Sequence, residues 1–134
     1  MEKLFVSANN YLSEKKHRTK FVAVRYGNVL GSSNSVIPKF IQQIRSGKNI
    51  SVTHPDMTRF TITMNDAIDL IFYAAQNSLG GEVFVPKLTA YKLGILADAI
   101  RELLDSSTEI ERIPIRSGEK FHEYLISIDE MRHT

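Results

Sequence analysis

The chain has 134 residues, 43% hydrophobic and 24% charged, which suits one globular domain or part of one. Its formal charge of +2 gives a nucleic-acid role little electrostatic support, and the lack of cysteine excludes disulfides and thiolate metal sites. No apolar run approaches the roughly 20 residues that span a bilayer, and Met1-Glu2-Lys3-Leu4 lacks the layout of a signal peptide. These features lead us to expect a cytoplasmic protein with no nucleic-acid or membrane partner.

Residues 1–16 read as a helix, because Leu4, Phe5, Ala8, Tyr11 and Leu12 recur at three- and four-residue steps. Nothing before that face resembles a cap, as if earlier turns were missing. Residues 19–26 read as a strand, and the apolar run Phe21 to Val24 suggests burial on both faces, as in a parallel sheet. A Gly/Ser/Asn loop follows to Asn34. Ser35 is expected to cap a helix over 36–45, with Pro38 in its first turn and Ser46-Gly47 at its end. Short strands are expected at 50–53 and 59–63. Thr63 and Asp66 have capping-box spacing ahead of a helix over 65–76, whose Ala67, Ile68, Leu70, Ile71, Ala74 and Ala75 should be mostly buried. Residues 82–86 read as a buried strand and 91–105 as a helix. Residues 109–115 read as a strand placed at an edge by Pro114. Residues 118–126 read as a last short helix. This alternation argues for an α/β layer architecture.

Three segments carry the chemistry: Arg25-Tyr26-Gly27-Asn28-Val29-Leu30-Gly31-Ser32, Thr53 to Phe60, and Arg116-Ser117-Gly118-Glu119-Lys120-Phe121-His122-Glu123. Each sets an arginine beside a strand end or turn. Guanidinium groups donate paired hydrogen bonds to phosphate oxygens, so arginines around one cleft suit a diphosphate. The four histidines, His17, His54, His122 and His133, lack metal-ligand spacing. Asp66 and Asp69 read as a cap and a solvated face, so no residue is assigned a catalytic role and no metal is expected.

These segments, with Met57-Thr58-Arg59-Phe60 and Val83-Phe84-Val85-Pro86-Lys87 in the same order, resemble the C-terminal half of the polysaccharide-biosynthesis branch of the extended short-chain dehydrogenase/reductases. That branch contains UDP-N-acetylglucosamine 4,6-dehydratases and UDP-sugar 4-epimerases. The resemblance covers essentially the whole chain. It implies the C-terminal part of a Rossmann-type α/β fold, including the smaller substrate-binding domain, with the dinucleotide fingerprint and acid/base residues lying before Met1. It implies NADP or NAD in the full-length enzyme, bound only weakly by these residues alone, and a UDP-sugar as substrate, UDP-N-acetylglucosamine favoured. A homo-oligomer is compatible with it. The 83–87 strand tilts the resemblance to the dehydratase. The chain departs from the family in having Ser32-Ser33-Asn34-Ser35 where Ser-Arg-Gly-Ser is usual, and Ser117 where proline is usual.

The resemblance gives Asn28, Arg59 and Arg116 to the nucleotide and its diphosphate, and Tyr26 to the nicotinamide end of the cofactor. Each has a simpler alternative: Asn28 a turn residue, Arg59 a surface ion pair, Tyr26 a half-buried strand residue. Glu119 reads equally as a ribose ligand or as the cap of the last helix. Amides near Val36 and Lys39, at a helix start, suit a base or phosphate, against ordinary core packing for Val36 and solvation for Lys39. Met57 either packs on the ligand or fills the core.

Overall fold

The computed structural model describes residues 1–11, 19–33 and 35–134. The expected end of the first helix, His17 and Asn34 lie outside them. In chain order the elements are α1 (Glu2–Tyr11), β1 (Ala23–Val24), β2 (Asn28–Val29), α2 (Val36–Arg45), β3 (Ile50–Val52), β4 (Thr58–Ile62), α3 (Met64–Asn77), β5 (Val83–Phe84), β6 (Ala90–Lys92), α4 (Leu93–Leu103), β7 (Ile110–Arg112) and a 3-10 turn at Glu130–His133. They fall into two compact units. One combines Met1–Tyr26, Thr63–Lys87 and Leu125–Thr134; the other combines Gly27–Ile62 and Leu88–Tyr124.

In the first unit β1 and β5 pair in parallel, Ala23 opposite Val83 and Val24 opposite Phe84. Only Ala23 and Val24 of the expected strand join a ladder, and residues 21–24 are half-buried rather than enclosed. The Asn9 side chain fastens α1 beside them: its amide donates to the Phe21 carbonyl at 2.7 Å and its carbonyl oxygen accepts from the Phe21 amide at 2.9 Å. Thr63 caps α3 as expected, its hydroxyl accepting from the Asp66 amide at 3.1 Å. The burial expected along α3 is corrected: only Ala67 and Ala74 are buried, while Ile68 and Ile71 are 42% and 46% exposed. Apolar spacing gives a helix its face but does not supply a layer to cover it.

The second unit holds the main core. Phe40 of α2, Ile50 and Val52 of β3, Met57, and Leu93, Ala97 and Ile100 of α4 are buried together, flanked by Val36, Ile41, Tyr91 and Ile110. Its strands form two sheets: β2-β4-β6, with β2 parallel and β6 antiparallel to β4, and the parallel pair β3-β7. Two expectations fail here. Tyr91 and Lys92, expected to open the helix, instead belong to strand β6, because Tyr91 pairs opposite Arg59. The α4 amides of Leu93 and Gly94 then donate to the Met57 and Pro55 carbonyls, both at 2.9 Å, which closes the helix end with backbone rather than a side-chain cap. Residues 118–126 form no helix. Gly118 sits at φ +81° in a turn closed by the Glu119 amide on the Arg116 carbonyl at 3.0 Å. The segment then runs beside β4, where the Thr58 amide donates to the Phe121 carbonyl at 3.2 Å. Backbone groups bonded across to a strand are not free to form a helix.

Candidate functional site

Two neighbouring clefts open in the second unit. One, of about 370 Å³, is lined by β2 and the loop after it, the start of α2, Arg59 and Thr61 of β4, Tyr91, Leu93 and Glu119. The other, of about 510 Å³, is lined by Ser35, Val36, Lys39 and Phe40, by residues 51–53, and by Leu93, Ile113 and residues 116–119. Ser35, Val36, Leu93 and Glu119 belong to both walls.

The structure gathers most of the residues expected at a site. Asn28 and Arg59 face the first cleft, Lys39 and Arg116 the second, and Val36 and Glu119 both. Asn28 is a strand residue, not a turn residue, and pairs opposite Thr61. Val36 both lines the clefts and packs on the core. Met57 is a correction: it is fully buried in the core and lines neither cleft, so it cannot pack on a ligand there. Tyr26 belongs to the first unit, lies outside β1 and is 38% exposed. Arg25, from the first motif, is also in that unit. Its guanidinium is taken up by Glu2 and Glu130, so it is not offered to an anion.

Arg59 is no surface ion pair. It is 9% exposed, and every nitrogen of its guanidinium has a neighbour. Nη1 donates to the carbonyls of Thr58 at 2.8 Å and Phe121 at 3.3 Å. Nε lies 3.6 Å from Glu123 Oε1. Nη2 donates to Glu119 Oε1 at 3.2 Å and lies 3.7 Å from the Met57 sulfur. A charge this far from water needs such partners, since an unpaired buried cation is strongly destabilising. Glu119 caps no helix. Its Oε1 also lies 3.2 Å from the Thr53 hydroxyl, and its Oε2 accepts from the Arg116 amide at 3.3 Å. The Gly118 turn delivers it there.

Burial pushes the Tyr91 phenol above its ordinary pKa, with Glu123 adding to the rise and Arg59 opposing it. Ser35 occupies the cap position of α2, but its hydroxyl makes no capping bond. That oxygen is buried and unpartnered among the described residues, on the wall common to both clefts. The expected side-chain cap at Ser35 is therefore corrected.

Sequence reasoning missed Thr61, Tyr91, Ser35 and Glu123 as cleft or cluster residues. Two had a readable signal. Thr61 is two residues past Arg59 on a strand and so shares its face. Tyr91 sits directly across from Arg59, which reading residues 91–105 as helix concealed.

Comparisons with known proteins bear on the family and the fold. The model of the family "Polysaccharide biosynthesis protein" matches residues 1–134. The chain belongs to that family. It is 42% identical over 131 residues to the UDP-glucose 4-epimerase of Rickettsia massiliae (strain Mtu5), a match covering 98% of this chain and 38% of that protein. The solved structure of Pen from Bacillus thuringiensis superposes with a TM-score of 0.87 at 38% identity, over 96% of this chain and 40% of that one. DesIV, a dTDP-glucose 4,6-dehydratase from Streptomyces venezuelae solved with NAD bound, shares the fold with a TM-score of 0.76 at 15% identity, over 97% of this chain and 41% of that one. The chain thus spans about two fifths of the length of such relatives, and its α/β architecture is that of the extended short-chain dehydrogenase/reductases.

Proposed function

We propose that this chain is the nucleotide-sugar-binding portion of a UDP-sugar 4-epimerase of surface polysaccharide biosynthesis. The observation that carries the reading is the pair of adjoining clefts in the second unit. Arg59 and Asn28 line one, Arg116 and Lys39 the other, and Glu119 lines both. Such a surface offers cations to a diphosphate and a carboxylate to sugar or ribose hydroxyls. The buried Ser35 hydroxyl, unpartnered among the described residues, adds a donor at the start of α2, where oriented amides favour an anion.

The 83–87 strand favoured a dehydratase on sequence. The name carried by the 42%-identical Rickettsia protein moves the reading to the epimerase. Both reactions begin by oxidising C4 of the sugar with a bound NAD or NADP. Of this chain's residues we assign Tyr26 to that cofactor. The chain has no glycine-rich turn for the cofactor's pyrophosphate, so we derive no hydride step from it. Its contribution is placement: binding the remote diphosphate holds the sugar in register for chemistry elsewhere and lowers the barrier there.

Calorimetry on the chain tests this reading. UDP, UDP-N-acetylglucosamine and UDP-glucose should bind, and Arg116→Gln should weaken all three by about tenfold, as loss of one charge-assisted phosphate contact does. Incubated with a UDP-sugar and NAD or NADP, these residues alone should give neither a 4-epimer nor a 4-keto product. Equal affinity of wild type and Arg116→Gln for UDP would remove the second cleft from the reading.

A further inference from the structure

The proposal here rests on the diphosphate reading above and concerns how Arg59 becomes available to an anion. We propose that Glu119 is an exchangeable counter-ion, displaced from Arg59 by the incoming anion, while Glu123 and two backbone carbonyls keep the guanidinium in place.

The geometry divides the guanidinium into a fixed part and a free edge. Nη1 is held by the carbonyls of Thr58 and Phe121, and Nε by Glu123. Two of these contacts are to backbone, which moves little. Among the described residues the remaining nitrogen, Nη2, meets only a side-chain carboxylate at 3.2 Å and a thioether at 3.7 Å. Arg59 and Glu119 both line the first cleft. An anion entering that cleft therefore reaches Arg59 at Nη2, and the group in its way is the Glu119 carboxylate. Without exchange, Arg59 is already neutralised and offers an anion little.

Besides its contact with Arg59, the Glu119 carboxylate accepts from the Arg116 amide at 3.3 Å and lies near the Thr53 hydroxyl, and the surroundings ease its release from the arginine. Thr53 Oγ1 lies 3.2 Å from both Glu119 Oε1 and the Met57 sulfur, and its single proton serves one acceptor at a time. When the carboxylate leaves, the hydroxyl turns to the sulfur and is not orphaned. Glu119 itself is 22% exposed at its side chain, against 10% for Arg59, so it moves toward solvent while the arginine stays. Glu119 also follows a glycine turn rather than a helix, and among the described residues nothing lies within 4 Å of a Cβ built on Gly118. The pair thus keeps the buried cation satisfied in the empty cleft and sets a threshold for the anion that replaces it.

Pyrophosphate, which has no hydroxyls to engage a released carboxylate, isolates this competition. The full chain is titrated with inorganic pyrophosphate by calorimetry, as wild type, Glu119→Gln and Arg59→Gln. Glutamine preserves the volume of Glu119 and removes its charge, so pyrophosphate affinity should rise about fivefold, the span of one partly exposed ion pair. Arg59→Gln should lose most of the binding. A second measurement needs no variant: in the wild-type chain, the side-chain carboxyl 13C resonance of Glu119 should shift on pyrophosphate addition more than that of Glu123. If wild type binds pyrophosphate, Arg59→Gln does not, and Glu119→Gln binds no better while the Glu119 resonance stays still, the exchange is wrong and the diphosphate reading stands. If Arg59→Gln binds as wild type does, Arg59 is not the anion's partner and both fail.

Discussion

Thr61 donates its hydroxyl to the backbone carbonyl of Asn28 at 3.0 Å, across the parallel pair that sets these two residues opposite one another. The bond ties the two-residue strand β2 to the longer β4, and both residues line the first cleft. A two-residue strand has few ladder bonds, so this side-chain bond matters to where Asn28 stands. Thr61→Val keeps the shape and removes the donor. It should lower unfolding free energy by about 1 kcal/mol, the net worth of a hydrogen bond, read from urea denaturation. If Asn28 is a ligand residue, UDP affinity should fall in the same variant.

Gly27 prepares that pairing from the other side. A Cβ built at Gly27 would stand 2.7 Å from the Phe60 backbone carbon and oxygen and from its Cβ. The obstacle is largely main chain, which cannot rotate away. Gly27→Ala should therefore push β2 off β4 and destabilise the protein by about 1–3 kcal/mol, as overpacking does. Equal melting temperatures for the variant and wild type would contradict this.

Gly118 makes a different demand. A Cβ there meets nothing within 4 Å, so space is not the issue; φ of +81° is. The turn places glycine third of four residues, as a type II turn requires, and Ser117 fills the second place, where proline is favoured but not required. Gly118→Ala should cost about 1–2 kcal/mol for the left-handed backbone. Because the turn carries Glu119, the variant should also change UDP affinity. A thermal melt and a UDP titration check both.

Much of this architecture was legible in the sequence because it rests on local rules. The bounds of α2, marked by Pro38 in its first turn and Ser46-Gly47 after it, and the Thr63–Asp66 cap each depend on neighbours a few residues apart. What was not legible depends on partners far along the chain. Tyr91 is a strand residue because Arg59, 32 positions earlier, lies opposite it. Residues 118–126 are irregular because Thr58 takes up the Phe121 carbonyl. The fate of the arginines shows the same limit. Three looked alike in their motifs, yet Arg25 is held between Glu2 and Glu130, Arg59 is buried among carboxylates, and Arg116 is exposed on a cleft. Residue type names what a side chain can bind; only the fold says what already binds it.

The Arg25 contacts carry an acid dependence of definite sign. Arg25 Nε donates to Glu2 at 2.7 Å, and Nη1 donates to Glu130 and to the Leu125 carbonyl, both at 2.9 Å. These charge-assisted bonds hold both carboxyls below the usual range near 4.5, Glu130 helped further by the Ser127 amide. A carboxyl depressed by folding contributes stability that is present above its open-chain pKa and lost as pH falls through its folded one. The contribution should thus be constant at neutral pH and decline below about 4.5, where the open chain takes up protons first. Arg25→Gln removes the donor, so its deficit relative to wild type should be largest at neutral pH and shrink as the solution is acidified. The Ser127 amide donates to Glu130 at 2.8 Å and gives a local reading. Its hydrogen exchange in Arg25→Gln should quicken on the order of tenfold at neutral pH, as in a segment whose opening has become easier. Unchanged exchange there would mean that Glu130 holds the 3-10 turn without Arg25.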